Sequence, residues 1–150
     1  MLGVVVFTVA SNTFTNRVVH GLHRGFLAAF FALTAARLFS HLHNSRSVSR
    51  ADLYTAVSIY LLLGTTWAAL YGVMEALQPG SFQLGGQVTD RQSDLIYFSL
   101  VTLSTIGYGD IVPVTGEARM LAALEGVTGV LYIAITVAIL VSGYRRTSSD

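Results

Sequence analysis

The sequence contains no cysteine, no lysine and few charged residues of either sign. The absence of cysteine excludes disulfides, thiolate metal sites and thiol nucleophiles. Charged residues make up 11% of the 150 positions, whereas soluble domains average roughly a quarter. The formal net charge of +1 gives no basis for a nucleic-acid partner, and no conventional catalytic constellation is visible. We therefore expect neither a nucleic-acid-binding protein nor an enzyme.

Hydrophobic residues are abundant, at 53% of the chain, and they fall in long blocks. A helix rises ~1.5 Å per residue and needs about 20 apolar residues to cross a hydrocarbon core of ~30 Å. The uncharged run from Leu53 to Met74 is long enough to do so, and so is the block from Ala118 to Ser142. These runs predict an all-α integral membrane protein embedded in a lipid bilayer.

The N-terminal third contains two further apolar blocks and a linker. Leu2 to Ala10 is too short to span alone and lacks the features of a signal peptide, although it could end a longer helix. Val18 to Leu42 is predicted to be a transmembrane helix, and a helix lying in the interface is the alternative. The polar stretch from Asn44 to Arg50 is a linker, after which Asp52 is placed to cap a new helix.

Between the two long runs lies a polar segment and then a short apolar one. Glu75 to Ser93 contains one proline and three glycines and is predicted to be an exposed loop. Asp94 to Ser104 follows a capping Ser93 or Asp94 and has only about three helical turns. A helix of that length can enter a membrane and turn back but cannot cross it. The order predicts an outer helix, a re-entrant helix, an extended return and an inner helix.

The return begins with the string STIGYGD, Ser104 to Asp110. Backbone without helical hydrogen bonds is tolerated at membrane depth only where protein buries it or water lines it. Gly107 and Gly109 can adopt positive φ and turn successive carbonyls the same way. A ring of such carbonyls, with the Thr105 hydroxyl at its inner end, can replace the hydration shell of a cation. One chain supplies only one strand of the ring, so the chain must assemble around a symmetry axis.

The string TIGYGD resembles the selectivity signature of potassium channels. The similarity covers roughly Asp52 to Gly143 and resembles bacterial single-pore channels of the "ion channel" pore family. It implies a homotetramer and no cofactor, with K⁺ as the permeant ion. It also implies K⁺ sites in a selectivity filter formed by the backbone of Thr105, Ile106, Gly107, Tyr108 and Gly109.

The resemblance also assigns roles around the filter. Tyr108 favours potassium selectivity, because relatives that also conduct sodium often carry aspartate there; a non-selective monovalent cation channel is the alternative. Ile106 would pack behind the filter, and Asp110 would attract cations at the outer mouth. Three residues of the re-entrant helix would support the filter. Tyr97 and Phe98 occupy the positions of an aromatic pair that surrounds the filter in the family, and Val101 occupies the position of a further supporting residue. Some family members have glutamate in place of Val101, so the bracing and inactivation of the filter stay open.

The inner helix carries the residues on which gating would depend. Gly129 is placed either as a hinge or for close helix packing. Helical periodicity puts Val130, Ile133 and Val137 on its face, where they are candidates to line a cavity and to gate it by dewetting.

Glu125 is an ionisable residue inside the inner helix, and such a residue is a functional hypothesis by default. It could brace the pore by bonding a hydroxyl of the re-entrant helix, either Ser99 or Thr102. A pH sensor is the alternative.

The arginines predict an orientation. The positive-inside rule is met if both ends of the pore hairpin are cytoplasmic, in a bacterial inner membrane, because arginines flank it at Arg46, Arg50, Arg145 and Arg146. We divide the chain into an N-terminal membrane region (1–50), a pore domain (51–143) and a short tail (144–150). Arginines in the N-terminal region are too sparse for a voltage sensor, so the gating stimulus is not identified.

Two other readings compete with a channel. Histidines at both ends of the second apolar block, His20, His23, His41 and His43, could bind a transition metal in a metal or proton transporter. The Gly21-x-x-x-Gly25 spacing could instead mediate helix packing in a non-conducting membrane subunit.

Overall fold

The computed structural model of the protein describes residues 2–44 and 49–147. In chain order the elements are α1 (Leu2–Asn44), α2 (Arg50–Leu77), β1 (Phe82–Leu84), β2 (Gln87–Val88), α3 (Gln92–Leu103), β3 (Ile111–Pro113) and α4 (Gly116–Thr147). Within these residues, three helices are long and apolar enough to cross a membrane, over Val18–Ser40, Ala51–Leu77 and Gly116–Ser142. The 12-residue α3 is too short for that. The predicted helical membrane fold is confirmed, with a small sheet added to it.

The two N-terminal apolar blocks belong to one continuous helix, α1. This helix runs antiparallel to α2. A Cβ atom on Gly21 would lie 3.5 Å from Ala76, near the end of α2, whereas Leu42 packs in a cluster with Ala56, near its start. Since α1 follows α2 over the whole apolar span, the transmembrane interpretation fits the structure better than a helix lying in the interface.

Asp52 takes part in the cap of α2, as predicted, but it is not the N-cap residue. Ser49 is the N-cap, and Asp52 is the third residue of the helix. The Asp52 carboxylate accepts the Ser49 backbone N–H at 2.8 Å, and the Ser49 hydroxyl accepts the Asp52 N–H at 3.4 Å. This reciprocal capping box satisfies two backbone donors at once, whereas Asp52 alone as a cap would satisfy one. Arg46, in the preceding linker, lies outside the described residues.

The segment predicted to be an exposed loop contains two strands, and this prediction was wrong in part. β1 pairs antiparallel with both β2 and β3, so the sheet order is β2-β1-β3. Gly85 and Gly86 connect β1 to β2, and both have positive φ, as a tight two-residue hairpin turn requires. Because β3 directly follows STIGYGD, the sheet ties the outer loop to the exit of that string.

The re-entrant helix α3 starts earlier than predicted, with Arg91 as an N-cap that makes no side-chain capping bond. Asp94 lies within the first turn and accepts a 2.6 Å hydrogen bond from the Thr89 hydroxyl. The inner helix extends to Thr147, beyond the predicted end at Ser142 and into the segment that we assigned to a tail.

One hydrophobic cluster holds these elements together around α3. Its buried members come from α2, the sheet, α3 and α4: Tyr71, Phe82, Leu95, Phe98, Ile111 and Ala118. Burial of this apolar surface holds α3 against α2, α4 and the sheet, and so positions the segment that follows it.

Candidate functional site

The end of α3 is bound directly to the residues that follow it. The backbone N–H of Thr105 donates to the carbonyl of Thr102 at 3.0 Å. The N–H groups of Ile106 and Gly107 both donate to the carbonyl of Val101, at 3.0 and 3.3 Å. These bonds use the unpaired carbonyls at a helix C-terminus to hold an extended segment close to it. We call residues Thr105–Asp110 the filter strand.

Positive φ angles alternate along the filter strand. Thr105, Gly107 and Gly109 have φ values of 60°, 58° and 77°. The two glycines agree with the sequence-based expectation, but the positive φ of Thr105 was missed. Among the described residues it is the one non-glycine with positive φ, and for a β-branched side chain such a value is an outlier. Strain of this kind is kept where the surroundings impose it, often at functional sites.

The filter strand is exposed within one chain. The side chains of Ile106 and Tyr108 are 54% and 68% exposed, so Ile106 does not pack behind the strand within its own chain. Within residues 2–44 and 49–147, the carbonyl groups of Thr105 to Tyr108 accept no hydrogen bond. Backbone carbonyls are obligatory hydrogen-bonding groups, so these oxygens are available to another ligand.

Asp110 closes the filter strand and is bonded on three sides. Its carboxylate accepts the Tyr97 hydroxyl at 2.7 Å and the Ile111 N–H at 3.0 Å, and its backbone carbonyl accepts the Gly85 N–H at 3.3 Å. The hydrogen bond from Tyr97 lowers the pKa of Asp110 below its usual value, because it stabilises the ionised form. The same bond raises the pKa of Tyr97. The exit of the filter strand is therefore held by α3 and by the sheet.

These contacts show how the filter strand is held in place without a glutamate at position 101. The Val101 side chain supplies no acid, but its carbonyl accepts two N–H groups of the filter strand. Tyr97 supplies the side-chain bond to Asp110. The two members of the expected aromatic pair have different contacts, since Phe98 is buried and its ring packs at a tilt against Tyr71 and Phe82, with ring centroids 5.1 and 5.5 Å away.

Gly129 of the inner helix lies against the end of α3. A Cβ atom built on it would come within 2.0 Å of the Leu103 carbonyl oxygen. Close packing therefore requires glycine at this position, and the hinge role stays a prediction. On the next turns of α4, Val130, Ile133 and Val137 are 54%, 50% and 53% exposed in the single chain, so their lining of a cavity also stays a prediction.

Glu125 lies one turn before Gly129 and is completely buried. Its carboxyl group contacts the Ser99 hydroxyl at 2.5 Å and the Tyr71 hydroxyl, and Ser99 also donates to the Gly64 carbonyl at 2.7 Å. Ser99 was one of the two partners that the sequence suggested, whereas Tyr71 and Gly64 were missed. Nothing in the uncharged run of α2 distinguishes these two residues. We call these four residues, which join α2, α3 and α4, the rear cluster.

As far as the structure describes them, the residues of the competing readings do not form a recognisable site. In the part of the chain that the structure describes, no three His, Asp or Glu side chains form a metal-binding group. The side chains of His41 and His43 lie outside that description. Gly21 and Gly25 do face α2, but they pack α1 within one chain.

Comparison with known proteins identifies the family. A family model described as "Ion channel" matches residues 54–146, more than half of the chain. The inward rectifier potassium channel Kirbac3.1 of Paramagnetospirillum magnetotacticum is 29% identical over 117 residues, which are 75% of this chain and 36% of that protein.

Plant proteins with related names match as well. The two pore potassium channel a of Oryza sativa subsp. japonica is 37% identical over 79 residues, covering 53% of this chain and 20% of that protein. The two-pore potassium channel 4 of Arabidopsis thaliana is 45% identical over 51 residues, covering 34% and 18%. The chain thus spans about a third or less of the length of these relatives. No solved structure matches it significantly.

Proposed function

The chain belongs to the ion channel family, and we propose that it forms a potassium-selective channel that conducts K⁺ passively. The resemblance to the potassium channel pore-domain family is confirmed by the family match and by relatives named as potassium channels. These relationships point to a non-enzymatic membrane protein. Conduction, selectivity and assembly are the proposal.

The observation that carries the proposal is the filter strand with its unpaired carbonyls. In an ordinary strand successive carbonyls point to opposite sides. Positive φ at every second residue, at Thr105, Gly107 and Gly109, turns alternate peptides over, so that the carbonyls can face one side. The corresponding N–H groups of Thr105, Ile106 and Gly107 already bond to α3. A dehydrated cation is the ligand that a row of such oxygens fits.

Electrostatics around the filter strand supports a cation rather than an anion. The C-terminus of α3 precedes the strand, and a helix C-terminus carries about half a negative elementary charge. Asp110 adds a full negative charge at the other end, and Tyr97 favours its ionised form. Both ends of the pathway therefore attract cations.

One strand cannot surround an ion, so the proposal includes a homotetramer with the filter strands around its axis. The exposure of Ile106 and Tyr108 in the single chain supports this, since large exposed apolar groups mark contact surfaces. The exposed face of α4 with Val130, Ile133 and Val137 would line the cavity below. No cofactor is needed, because K⁺ is the transported ion.

Three spanning helices support an integral membrane protein. We place it in a bacterial inner membrane with the ends of the pore hairpin in the cytoplasm, as the arginines suggest. The filter strand and the sheet then face outward, because they follow the C-terminal end of α2.

Ion flux from purified protein in liposomes tests the proposal. With opposing gradients, we expect K⁺ flux well above Na⁺ flux and block of the K⁺ flux by barium. Equal fluxes of the two ions would instead identify a non-selective cation channel. Proton movement driven by a transition-metal gradient would favour the transporter, and no flux at all would favour the non-conducting subunit.

A matched variant links the flux to the filter strand. Tyr108→Asp changes the residue that we associate with potassium selectivity and leaves the glycines in place. We expect it to raise the ratio of Na⁺ to K⁺ flux. An unchanged ratio in a variant that still conducts would refute the assignment of the filter.

A further inference from the structure

The rear cluster contains more close polar contacts than its hydroxyl groups can supply with protons. Ser99 Oγ lies 2.5 Å from Glu125 Oε1 and 2.7 Å from the Gly64 carbonyl oxygen. The Tyr71 hydroxyl contacts Glu125 Oε2. The side chains of Tyr71, Ser99 and Glu125 are all fully buried, so bulk water does not compete for these contacts.

The contacts can be counted against the protons. Each of the three oxygen–oxygen contacts needs one proton, and a carbonyl oxygen has none to give. Tyr71 supplies the proton of its own contact, and Ser99 can supply only one of its two. If Ser99 donates to Gly64, the remaining contact needs a proton on Glu125 Oε1. A neutral carboxylic acid therefore completes the chain of bonds from Tyr71 through Glu125 and Ser99 to Gly64.

The surroundings of Glu125 also favour the neutral carboxylic acid over the carboxylate. The titratable groups that face it are Tyr71 and, at longer range, Tyr60, both from α2, and α3 presents the neutral Ser99 hydroxyl. Within the described residues Glu125 forms no ion pair. An unpaired carboxylate that is shielded from water carries the large desolvation cost of a buried ion. A bound proton removes that cost.

Glu75 at the outer end of α2 provides the opposite case. Its two oxygens accept the backbone N–H groups of Gly80 and Ser81, at 2.5 and 2.9 Å. Both contacts already have a proton from the donor, so the ionised carboxylate satisfies them. The two glutamates are both buried, but only Glu125 has a contact without a proton. Glu75 is thus a matched control.

We propose that Glu125 is a buried proton-binding site, occupied at neutral pH, whose proton holds α3 between α2 and α4. Release of the proton to water leaves a carboxylate, removes one of the three bonds and buries a negative charge. The position of the re-entrant helix depends on this site because Ser99 lies on α3, six residues before Thr105. The effect on conduction rests on the proposed function: K⁺ flux should fall at alkaline pH.

Infrared spectroscopy of protein with ¹³C-labelled glutamate in lipid membranes tests the proton itself. The chain contains three glutamates, at positions 75, 117 and 125, so few signals overlap. We expect the carbonyl stretch of a protonated glutamic acid at neutral pH, its loss in Glu125→Gln, and its persistence in Glu75→Gln and Glu117→Gln. Absence of the band from the wild-type spectrum at neutral pH would overturn the proposal. So would its persistence in Glu125→Gln.

A second variant serves if Glu125→Gln does not fold. Ser99→Ala removes the acceptor of the Glu125 proton and keeps the carboxyl group. It should shift the frequency of the protonated band, and an unshifted band would contradict the proposed bond. The wild-type spectrum is informative whatever the variants do.

Flux measurements as a function of pH test the consequence. We expect wild type and Glu75→Gln to lose K⁺ flux on the alkaline side and Glu125→Gln to keep it. An alkaline decline in Glu125→Gln equal to that of wild type would overturn the link between the proton and conduction. If no protein conducts while the infrared band is present, the proposed function fails and the proton site stands.

Discussion

The two sides of α3 differ in where their polar groups find partners. Behind the helix, the carboxyl and hydroxyl groups of the rear cluster are buried and bonded within one chain. In front, the filter strand is exposed, and within the described residues the carbonyls of Thr105 to Tyr108 have no hydrogen-bond partner. Both sides depend on glycine, but for different reasons.

Glycine serves close approach behind α3 and backbone geometry in front of it. A Cβ atom on Gly64 would lie 2.7 Å from Leu100 Cδ2, and one on Gly129 would lie 2.0 Å from the Leu103 oxygen. Gly107 and Gly109 have open space but positive φ. The difference teaches that a single chain positions the filter strand but, within the described residues, supplies no hydrogen-bond partner for the carbonyls of Thr105 to Tyr108. Substitutions on the two sides should therefore fail in different ways.

The largest expected effect is that of Gly129→Ala. The new methyl group cannot coexist with the Leu103 carbonyl, so α3 or α4 must move, at a cost of about 1–3 kcal/mol or more per chain. We expect a lower melting temperature in detergent and loss of K⁺ flux. Gly126→Ala is the control, because a Cβ atom there meets nothing within 4 Å in the chain. Equal melting temperatures for the two variants would show that the close approach is unimportant.

Gly107→Ala should distort the filter strand without destabilising the fold. Alanine at a φ of 58° costs about 1–2 kcal/mol, and a change of backbone conformation would misdirect carbonyls of the filter strand. We expect loss of potassium selectivity or of flux with a nearly unchanged melting temperature. Gly85→Ala, with a similar φ of 57° and similar open space, should keep selectivity. If Gly107→Ala has the same K⁺ flux and selectivity as wild type, glycine is not needed at this position of the filter strand.

The exposed surface in front of α3 would continue along α4 if Ile133 and Val137 line a cavity below the filter strand. Ile133 and Val137 lie one and two turns beyond Gly129 and are about half exposed. If they line a cavity that gates by dewetting, Ile133→Asp or Val137→Asp should raise the open probability in single-channel recordings, because the charge keeps the cavity wet. Ile133→Leu should behave like wild type. Unchanged open probability and block in both aspartate variants would contradict this assignment.

The smallest expected effect concerns the outer end of the filter strand. The pKa of Asp110 is lowered mainly by the Tyr97 hydrogen bond, so Tyr97→Phe should raise it toward its usual value. The acid at the mouth then protonates at a higher pH, and the acid-side decline of K⁺ flux should move to higher pH. Asp110→Asn provides the test of cause. If Tyr97→Phe still shifts the acid-side decline of K⁺ flux in the Asp110→Asn background, the shift does not arise from the hydrogen bond between Tyr97 and Asp110.

The sequence predicted the membrane helices well because span length and charge depletion are local properties. It placed the boundaries less well. The cap at Ser49, the start of α3 at Gln92 and the sheet of the outer loop were all missed or misplaced. The sheet depends on partners far apart in the chain, whereas the cap at Ser49 is a local bond to Asp52 that the sequence analysis overlooked. The strands β1 and β3, for example, are separated by the whole of α3.

The candidate site shows the same division. The glycines of the filter strand and Asp110 could be recognised from their spacing, and Ser99 was one of two suggested partners for Glu125. Thr105 was not recognised as a residue with positive φ, because a β-branched residue normally avoids it. The contacts with α3 over-determine its conformation, and such contacts are invisible in a local pattern.

The sequence by itself thus determined the helical membrane class, the re-entrant helix and the position of the STIGYGD string. Apolar length, charge and glycine spacing act over neighbouring residues, so they can be read along the chain. Only the tertiary structure decided that Gly64 and Gly129 enclose α3, that Tyr97 braces Asp110 and that Glu125 joins Ser99 to Tyr71. These contacts arise from the packing of α2, α3 and α4, and the hydrogen bond between Tyr71 and Glu125 joins residues 54 positions apart.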